Sequence, residues 1–331
     1  MIRNVLATAA LSAALVLATM SGAAIAKDAK IGVVVKIGGI AWFNAMEKGI
    51  QSRGAELGDN AFMVGPTSAD PALQVRAIED LIAQKVKVIG VVPNDANALE
   101  PVLQKARDAG IVVITHESPE QKNADWDFEM VSAQGYAEAH AKLFAEQMGG
   151  KGKYVVYVGS LTVPLHNLWA DMAIAYLKKN YPDMQMVGDR YGVAESVDES
   201  HKTALDVLAA NPDLGGFLTF GSEGPIGVGH ALDEQHMSGK VKLVGSISPS
   251  EGASLIKEGT IQGGFMWNPM EAGKVFVTLG DYLAGGGKVT DGMKIEGLGV
   301  VHPDFDKGNI IVDNLQPINK DTIDMLAGMG L

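Results

Sequence analysis

The sequence predicts an α/β protein made of two doubly wound parallel-sheet lobes of Rossmann-like type. Three observations carry that expectation. Short β-branched runs alternate with longer amphipathic stretches along the chain. Gly, Pro and Asn bound the runs, as they bound buried parallel strands. The alternation restarts at Phe128–Val131, and the 305 residues after the expected signal peptide suit two units of about 150 rather than one.

Each element follows from its own pattern. Lys30–Lys36 (KIGVVVK) reads as a strand. Ala41–Leu57 reads as a helix, because Phe43, Met46, Ile50 and Leu57 recur at helical spacing between polar residues. Ala61–Val64, Val86–Val92 and Ile111–Thr115 are the next strands, with helices over Pro71–Gln84 and Leu99–Ala109 between them. In the second half the strands are Phe128–Val131, Lys153–Val158, Gln185–Asp189, Gly216–Phe220, Lys242–Gly245 and Gln262–Met266. The helices are Ala133–Met148, Leu168–Asn180, Val197–Ala210, Pro225–Gln235, Ser250–Lys257 and Ala272–Ala284. Asn180-Tyr181-Pro182-Asp183 and Asn211-Pro212-Asp213 are helix stops.

The N-terminus predicts export. Arg3 is followed by an uncharged stretch rich in Ala, Leu and Val, then by Ala24-Ile25-Ala26 and the polar Lys27-Asp28. That order reads as a secretory signal peptide over residues 1–26, cleaved after Ala26. The chain has 39 acidic against 27 basic residues, a net charge of −12, which argues against nucleic-acid or anionic-membrane partners. Cysteine is absent, so neither a disulfide framework nor a thiolate metal site nor a lipidated thiol is expected.

In open parallel sheets, ligands bind beyond the carboxyl ends of the strands. The residues that leave those ends here are Lys36, Trp42 and Phe43; Asn94 and Asp95; His116 and Glu117; His166, Asn167 and Trp169; Glu223; Ser248; Trp267 and Asn268. Planar aromatics alternate with two-ended hydrogen-bonding groups. A sugar ring has apolar C–H faces for the first and a hydroxyl rim for the second. These fourteen residues are the candidate ligand-binding set, with Asp95, read as a buried carboxylate, expected to matter more than Ser248.

Other chemistries find little support. Gly38-Gly39 lacks the dinucleotide fingerprint, and no phosphate-binding loop is present. Gly221-Ser222-Glu223-Gly224 is off the spacing of a nucleophile elbow. Glu138 and His140 stand two apart on a helix and face different sides, so no metal site is expected. An exported enzyme using Asp95 and Glu117 as an acid–base pair is the alternative class. A sugar-responsive repressor would need a DNA-binding motif where this chain carries its export signal. No cofactor and no catalytic role are expected.

The export signal, KIGVVVK with its Trp-Phe pair, Asn94-Asp95 and VGSLTVPLHNLW together resemble the periplasmic binding proteins of the ribose, rhamnose and autoinducer-2 type (periplasmic binding protein-like I), from about Lys30 to Asn314. The resemblance implies two lobes joined by a three-stranded hinge, with lobes over 27–117 plus 268–298 and 118–267 plus 299–331. It implies a monomer in the periplasm that hands a ligand to the permease and ATPase subunits of an ABC importer, and it is compatible with coupling to a chemoreceptor. Lys36 and Glu117 resemble ligand residues of the autoinducer-2 receptors, with Glu117 in place of an Asp. Leu165-His166 stands where those receptors carry Asp-Gln, and Phe220 and Ser222 stand where they carry Pro and Ala. Trp42-Phe43 and Asn94-Asp95 are similar to the ribose receptors, whose ring-flanking Arg residues are replaced by Ala96 and His166. The ligand implied is a pentose, a deoxyhexose or a sugar alcohol, with autoinducer-2 as the alternative.

Overall fold

A computed structural model describes residues 29–331; the signal peptide expected over residues 1–26 lies outside the described residues. The chain begins with β1 (Lys30–Val34), α1 (Ala41–Leu57), β2 (Asn60–Val64), α2 (Pro71–Ala83), β3 (Val88–Val91), α3 (Ala96–Asp108), β4 (Val112–His116) and β5 (Trp126–Glu129). It continues with α4 (Ala133–Met148), β6 (Gly152–Val158), α5 (Pro164–Asn180), β7 (Met184–Met186), β8 (Tyr191–Gly192), α6 (Val197–Ala210), β9 (Leu214–Phe220), α7 (Gly224–Glu234), β10 (Lys242–Gly245), α8 (Pro249–Glu258) and β11 (Gly264–Met266). It closes with α9 (Pro269–Ala284), β12 (Lys294–Ile295), β13 (Gly299–Val300), β14 (Asn309–Ile311), β15 (Gln316–Ile318) and α10 (Ile323–Gly328).

Two parallel sheets result. The first has the order β14-β5-β4-β3-β1-β2 and the second β10-β9-β6-β7, with β8 also paired to β6. Both are buried on two faces, which is why β1, β3, β6 and β9 read as continuous apolar runs rather than alternating ones. The chain passes between the sheets three times, after β5, after β11 and between β14 and β15.

Strand β5 and strand β14 correct the lobe boundaries drawn from sequence. Both extend the first sheet, β5 beside β4 and β14 beside β5, whereas residues 118–131 and 299–311 were assigned to the second lobe. The reason is register: Phe128 pairs with His116, so the strand after β4 stays in the sheet instead of leaving it. Helix α5 also starts earlier than Leu168, because Pro164 occupies its first turn, where a missing N–H costs nothing.

Helix α9 returns from the second sheet to pack on α1. The two approach so closely that a Cβ on Gly49 would run into the Met270 carbonyl, and one on Gly273 into the Met46 carbonyl. That contact fixes α1, and with it Trp42 and Phe43, against the first sheet.

Candidate functional site

The cleft between the sheets is built from strand exits. Lys36 follows β1, and Glu117 follows β4. Trp42 and Phe43 lie in the first turn of α1, and Trp267 precedes α9. From the second sheet's side come Tyr136 on α4, His166 and Trp169 on α5, Glu195 just before α6, Gly221 and Ser222 after β9, and Ser246 after β10. With Ile40 these residues line a cavity of about 20 Å³, room for about one water molecule, so the walls stand close together.

Lys36 is the centre of its charge. Its Nζ lies 2.8 Å from Glu117 Oε2, 2.9 Å from Glu195 Oε1 and 2.9 Å from His166 Nε2. All four side chains are buried. Burial alone lowers the ammonium's pKa, but the attraction of Glu117 and Glu195 overrides it and the net shift is upward. Burial alone raises the Glu117 carboxyl, but Lys36 first and His166 second hold it well below the usual carboxylate range. Glu117 and Lys36 leave strands of one sheet; Glu195 and His166 belong to the other side. Lys36 therefore ties the two walls together.

The tautomer of His166 follows from its partners. Its Nδ1 accepts the Gly159 N–H at 3.1 Å, so the proton of the neutral ring sits on Nε2. Nε2 has Glu117 Oε2 at 3.5 Å, but also faces the Lys36 ammonium, another donor. Two further N–H groups, Trp169 Nε1 and Trp267 Nε1, are buried without an acceptor among the described residues. The cleft thus holds two buried N–H donors without a partner beside the Lys36 cluster, framed by aromatic faces. Trp267 meets Trp42 edge-on at 5.2 Å, Trp169 tilts against it at 5.6 Å, and Tyr136 lies 4.3 Å from Trp169.

Seven of the sequence-derived candidates surround this space: Lys36, Trp42, Phe43, Glu117, His166, Trp169 and Trp267. The other seven lie elsewhere. Asp95 is half-buried, and its carboxylate caps α3 by accepting the Ala98 N–H at 3.0 Å. It lines a separate groove with Asn167. Asn167 is spent on α5 itself, donating to Ser160 O and Val163 O while Arg190 donates to its Oδ1. Asn268 caps α9 through Met270 and Glu271. Ser248 precedes α8 and is buried away from the cleft lining.

Asn94 works one layer down. Its Nδ2 donates to Lys36 O at 2.8 Å, and its own N–H donates to Gln74 Oε1, whose amide nitrogen holds Val35 O and Val92 O. This clip fixes the backbone that presents Lys36. His116 stacks on Phe128 at 4.6 Å with its Nδ1 against Phe128 O at 2.7 Å; burial lowers its pKa, so it is a neutral core histidine. Glu223 sits behind Ser222, whose hydroxyl donates to it at 3.1 Å. Burial, then Glu251 and Glu195, push its carboxyl up to about 7.

Sequence reasoning missed Ile40, Tyr136, Glu195, Gly221, Ser222 and Ser246 as lining residues. Glu195 follows β8, a two-residue strand too short to show a pattern. Ser222 and Ser246 stand at recognised strand exits, where Glu223 and Ser248 were preferred. Tyr136 is on a helix, where an aromatic reads as core. His140 shows the converse: it bridges Tyr136 O and the Phe265 N–H inside the second lobe, and burial lowers its pKa to about 4. Among the described residues, no group of three or more His, Cys, Asp or Glu could hold a metal ion.

Comparison with known proteins matches this architecture. The family model described as "Periplasmic binding protein domain" matches residues 31–288. A D-ribose/D-allose-binding protein of Pseudomonas aeruginosa is 24% identical over 245 residues, 70% of this chain and 75% of that one. Among solved structures, an ABC transporter solute-binding protein from Clostridium phytofermentas with bound L-rhamnose superposes with a TM-score of 0.85 at 24% identity, covering 91% of this chain and 99% of that one. LsrB from Clostridium saccharobutylicum in complex with AI-2 gives a TM-score of 0.83 at 20% identity, covering 89% and 99%.

Proposed function

The chain belongs to the periplasmic binding protein family, and from that premise we propose that it captures a small uncharged sugar or sugar alcohol in the inter-sheet cleft and delivers it to the permease of an ABC importer. One observation carries the ligand class: the buried N–H groups of Trp169 and Trp267, without acceptors, face the same cleft as the Lys36–Glu117–Glu195–His166 cluster between aromatic rings. An oxygen seated beside Lys36 Nζ and His166 Nε2, which lie 2.9 Å apart, accepts from both, and if it is a hydroxyl it donates onward to Glu117 or Glu195. Trp42, Phe43 and Trp267 cover apolar ring faces. The two carboxylates disfavour sugar acids. Export after Ala26 would place the protein in the periplasm.

Closure follows from the same contacts. A ligand shifts an open–closed balance only through interactions that differ between the two states. Oxygens that bridge Lys36 on one wall and His166 on the other exist only when the walls are together, so binding and closure are one event.

The test is a thermal-shift screen of residues 27–331 against pentoses, hexoses, deoxyhexoses, sugar alcohols and autoinducer-2. A ligand at 100 times its Kd stabilises the fold by about 2.7 kcal/mol. A selective shift by a neutral polyol supports the reading; stabilisation by non-sugar solutes alone overturns it. Autoinducer-2 is the second reading, favoured by the structural likeness to an AI-2-bound receptor and by Lys36 and Glu117.

A further inference from the structure

Glu117 has an unusual backbone. Its φ is +63°, one of three non-glycine residues with positive φ among the described residues. A side chain there costs on the order of 1–3 kcal/mol unless its surroundings impose it. Glu117 also carries the charge that pairs with Lys36, so whatever imposes the turn aims that charge.

Beneath the turn lie two buried carboxyl groups, Asp127 and Glu129, two residues apart on β5 and therefore on one face of the strand. Asp127 Oδ1 accepts from Thr115 Oγ1 at 2.8 Å and from the Ser118 N–H at 3.3 Å. The backbone N–H groups of Glu117 and Ser118 ease the charge on Glu129, whose Oε2 also lies 3.4 Å from His116 Nδ1. The two acids thus face the amides of the turn. The two carboxyl groups neighbour each other, and Asp127 Oδ2 and Glu129 Oε1 are buried with no donor among the described groups. A contact between two acceptor oxygens needs a proton between them.

No cation neutralises the pair. The titratable groups facing it are His116, whose Nδ1 lies 3.4 Å from Glu129 Oε2 but whose ring burial keeps neutral, and Glu117, which is negative. On the other side, the β14 register partners Asn309 and Ile311 carry no charge. Two adjacent buried carboxylates cannot both stay ionised. Burial first, and in Asp127 the neighbouring Glu129 second, push both groups well above the usual carboxylate range.

We infer that Asp127 and Glu129 share one proton and act as a positioning pair, fixing the left-handed turn at Glu117 so that its carboxylate is aimed at Lys36. The functional consequence rests on reading Glu117 as a wall of the binding cleft. The pair itself is tested without any ligand, so its failure and that of the sugar-binding reading are distinguishable.

Two measurements decide it. The infrared spectrum of residues 27–331 at pH 8 should show a protonated carboxyl band that disappears in Asp127→Asn and in Glu129→Gln, each of which replaces the shared proton with an amide donor. Amide hydrogen exchange at Glu117 and Ser118 should speed up at least tenfold in Glu129→Ala and stay near wild type in Glu129→Gln, whose amide oxygen still accepts from the turn. A merely space-filling role would not be rescued by the charge-free isostere in this way. A spectrum with no band dependent on these two residues overturns the inference, as does unchanged exchange in Glu129→Ala. If Glu129→Ala does not fold, the infrared comparison of the two isosteric variants still decides.

Discussion

The two walls of the cleft treat their carboxylates in opposite ways. On the first-sheet wall Glu117 is buried against Lys36 and stays ionised far below its ordinary range. Behind the second wall Glu223 is buried among Glu251 and Glu195, with only the Ser222 hydroxyl to help it, and is pushed up to about 7. Burial penalises both charges. What differs is the sign of the nearest charge, and that decides which group ionises. The first wall is a fixed charge on a braced backbone; the second is a set of donors and acids on helix starts and a loop, tied to the first chiefly through Lys36.

The sharpest way to break the contrast is Lys36→Met. It leaves Glu117 and Glu195 buried without their cation, a loss of about 3–5 kcal/mol for a broken buried pair, read as a lowered midpoint of urea unfolding. If the midpoint holds, the cleft's charges are not coupled as described.

Next in size is the pH response of the second wall. Glu223 keeps its proton in the fold at pH values where the unfolded chain has lost it. Its stabilising share is therefore full below about 4.5 and is lost as pH rises through about 7. Glu223→Gln should remove on the order of 1–3 kcal/mol from the decline in stability between pH 5 and pH 8. Glu117 works the other way: its contribution is present above the ordinary carboxylate range and is lost as pH falls below it, so Glu117→Gln should flatten the acid limb instead. Both are measured by denaturant titrations across pH, and the same slope in both variants would erase the distinction between the walls.

The smallest effect separates the cleft from its surroundings. Asp95→Ala should cost about 1 kcal/mol of stability as a lost helix cap and leave the affinity for the screened ligand within twofold. A tenfold weaker affinity would return Asp95 to the binding site.

The same contrast marks what was legible in the sequence. Strands β1, β4 and β6 announce themselves as apolar runs, and their exits led to Lys36, Glu117 and His166. The rule that ligands lie beyond strand ends led to seven of the residues that line the cleft and, in neighbouring positions, to seven that do not. In Asp95 and in Asn268 the local backbone claims the side chain first, because a free helix N–H is nearer than any ligand, and Asn94 is claimed by the Lys36 carbonyl. Glu195 stayed hidden because a two-residue strand has no period to read. The lobe boundary was misplaced because nothing local to 118–129 distinguishes a strand that stays in its sheet from one that leaves. That choice is made by the β4–β5 register and by β14, about 180 residues away in sequence.

The most direct measurement of the central claim is a crystal structure of residues 27–331 with the sugar that stabilises it most. The account predicts the ring among Trp42, Trp267 and Phe43, with one oxygen within hydrogen-bond reach of both Lys36 Nζ and His166 Nε2. A sugar seated in the groove beside Asp95 and Asn167, or one that leaves the Lys36–His166 contact unbridged, would contradict it.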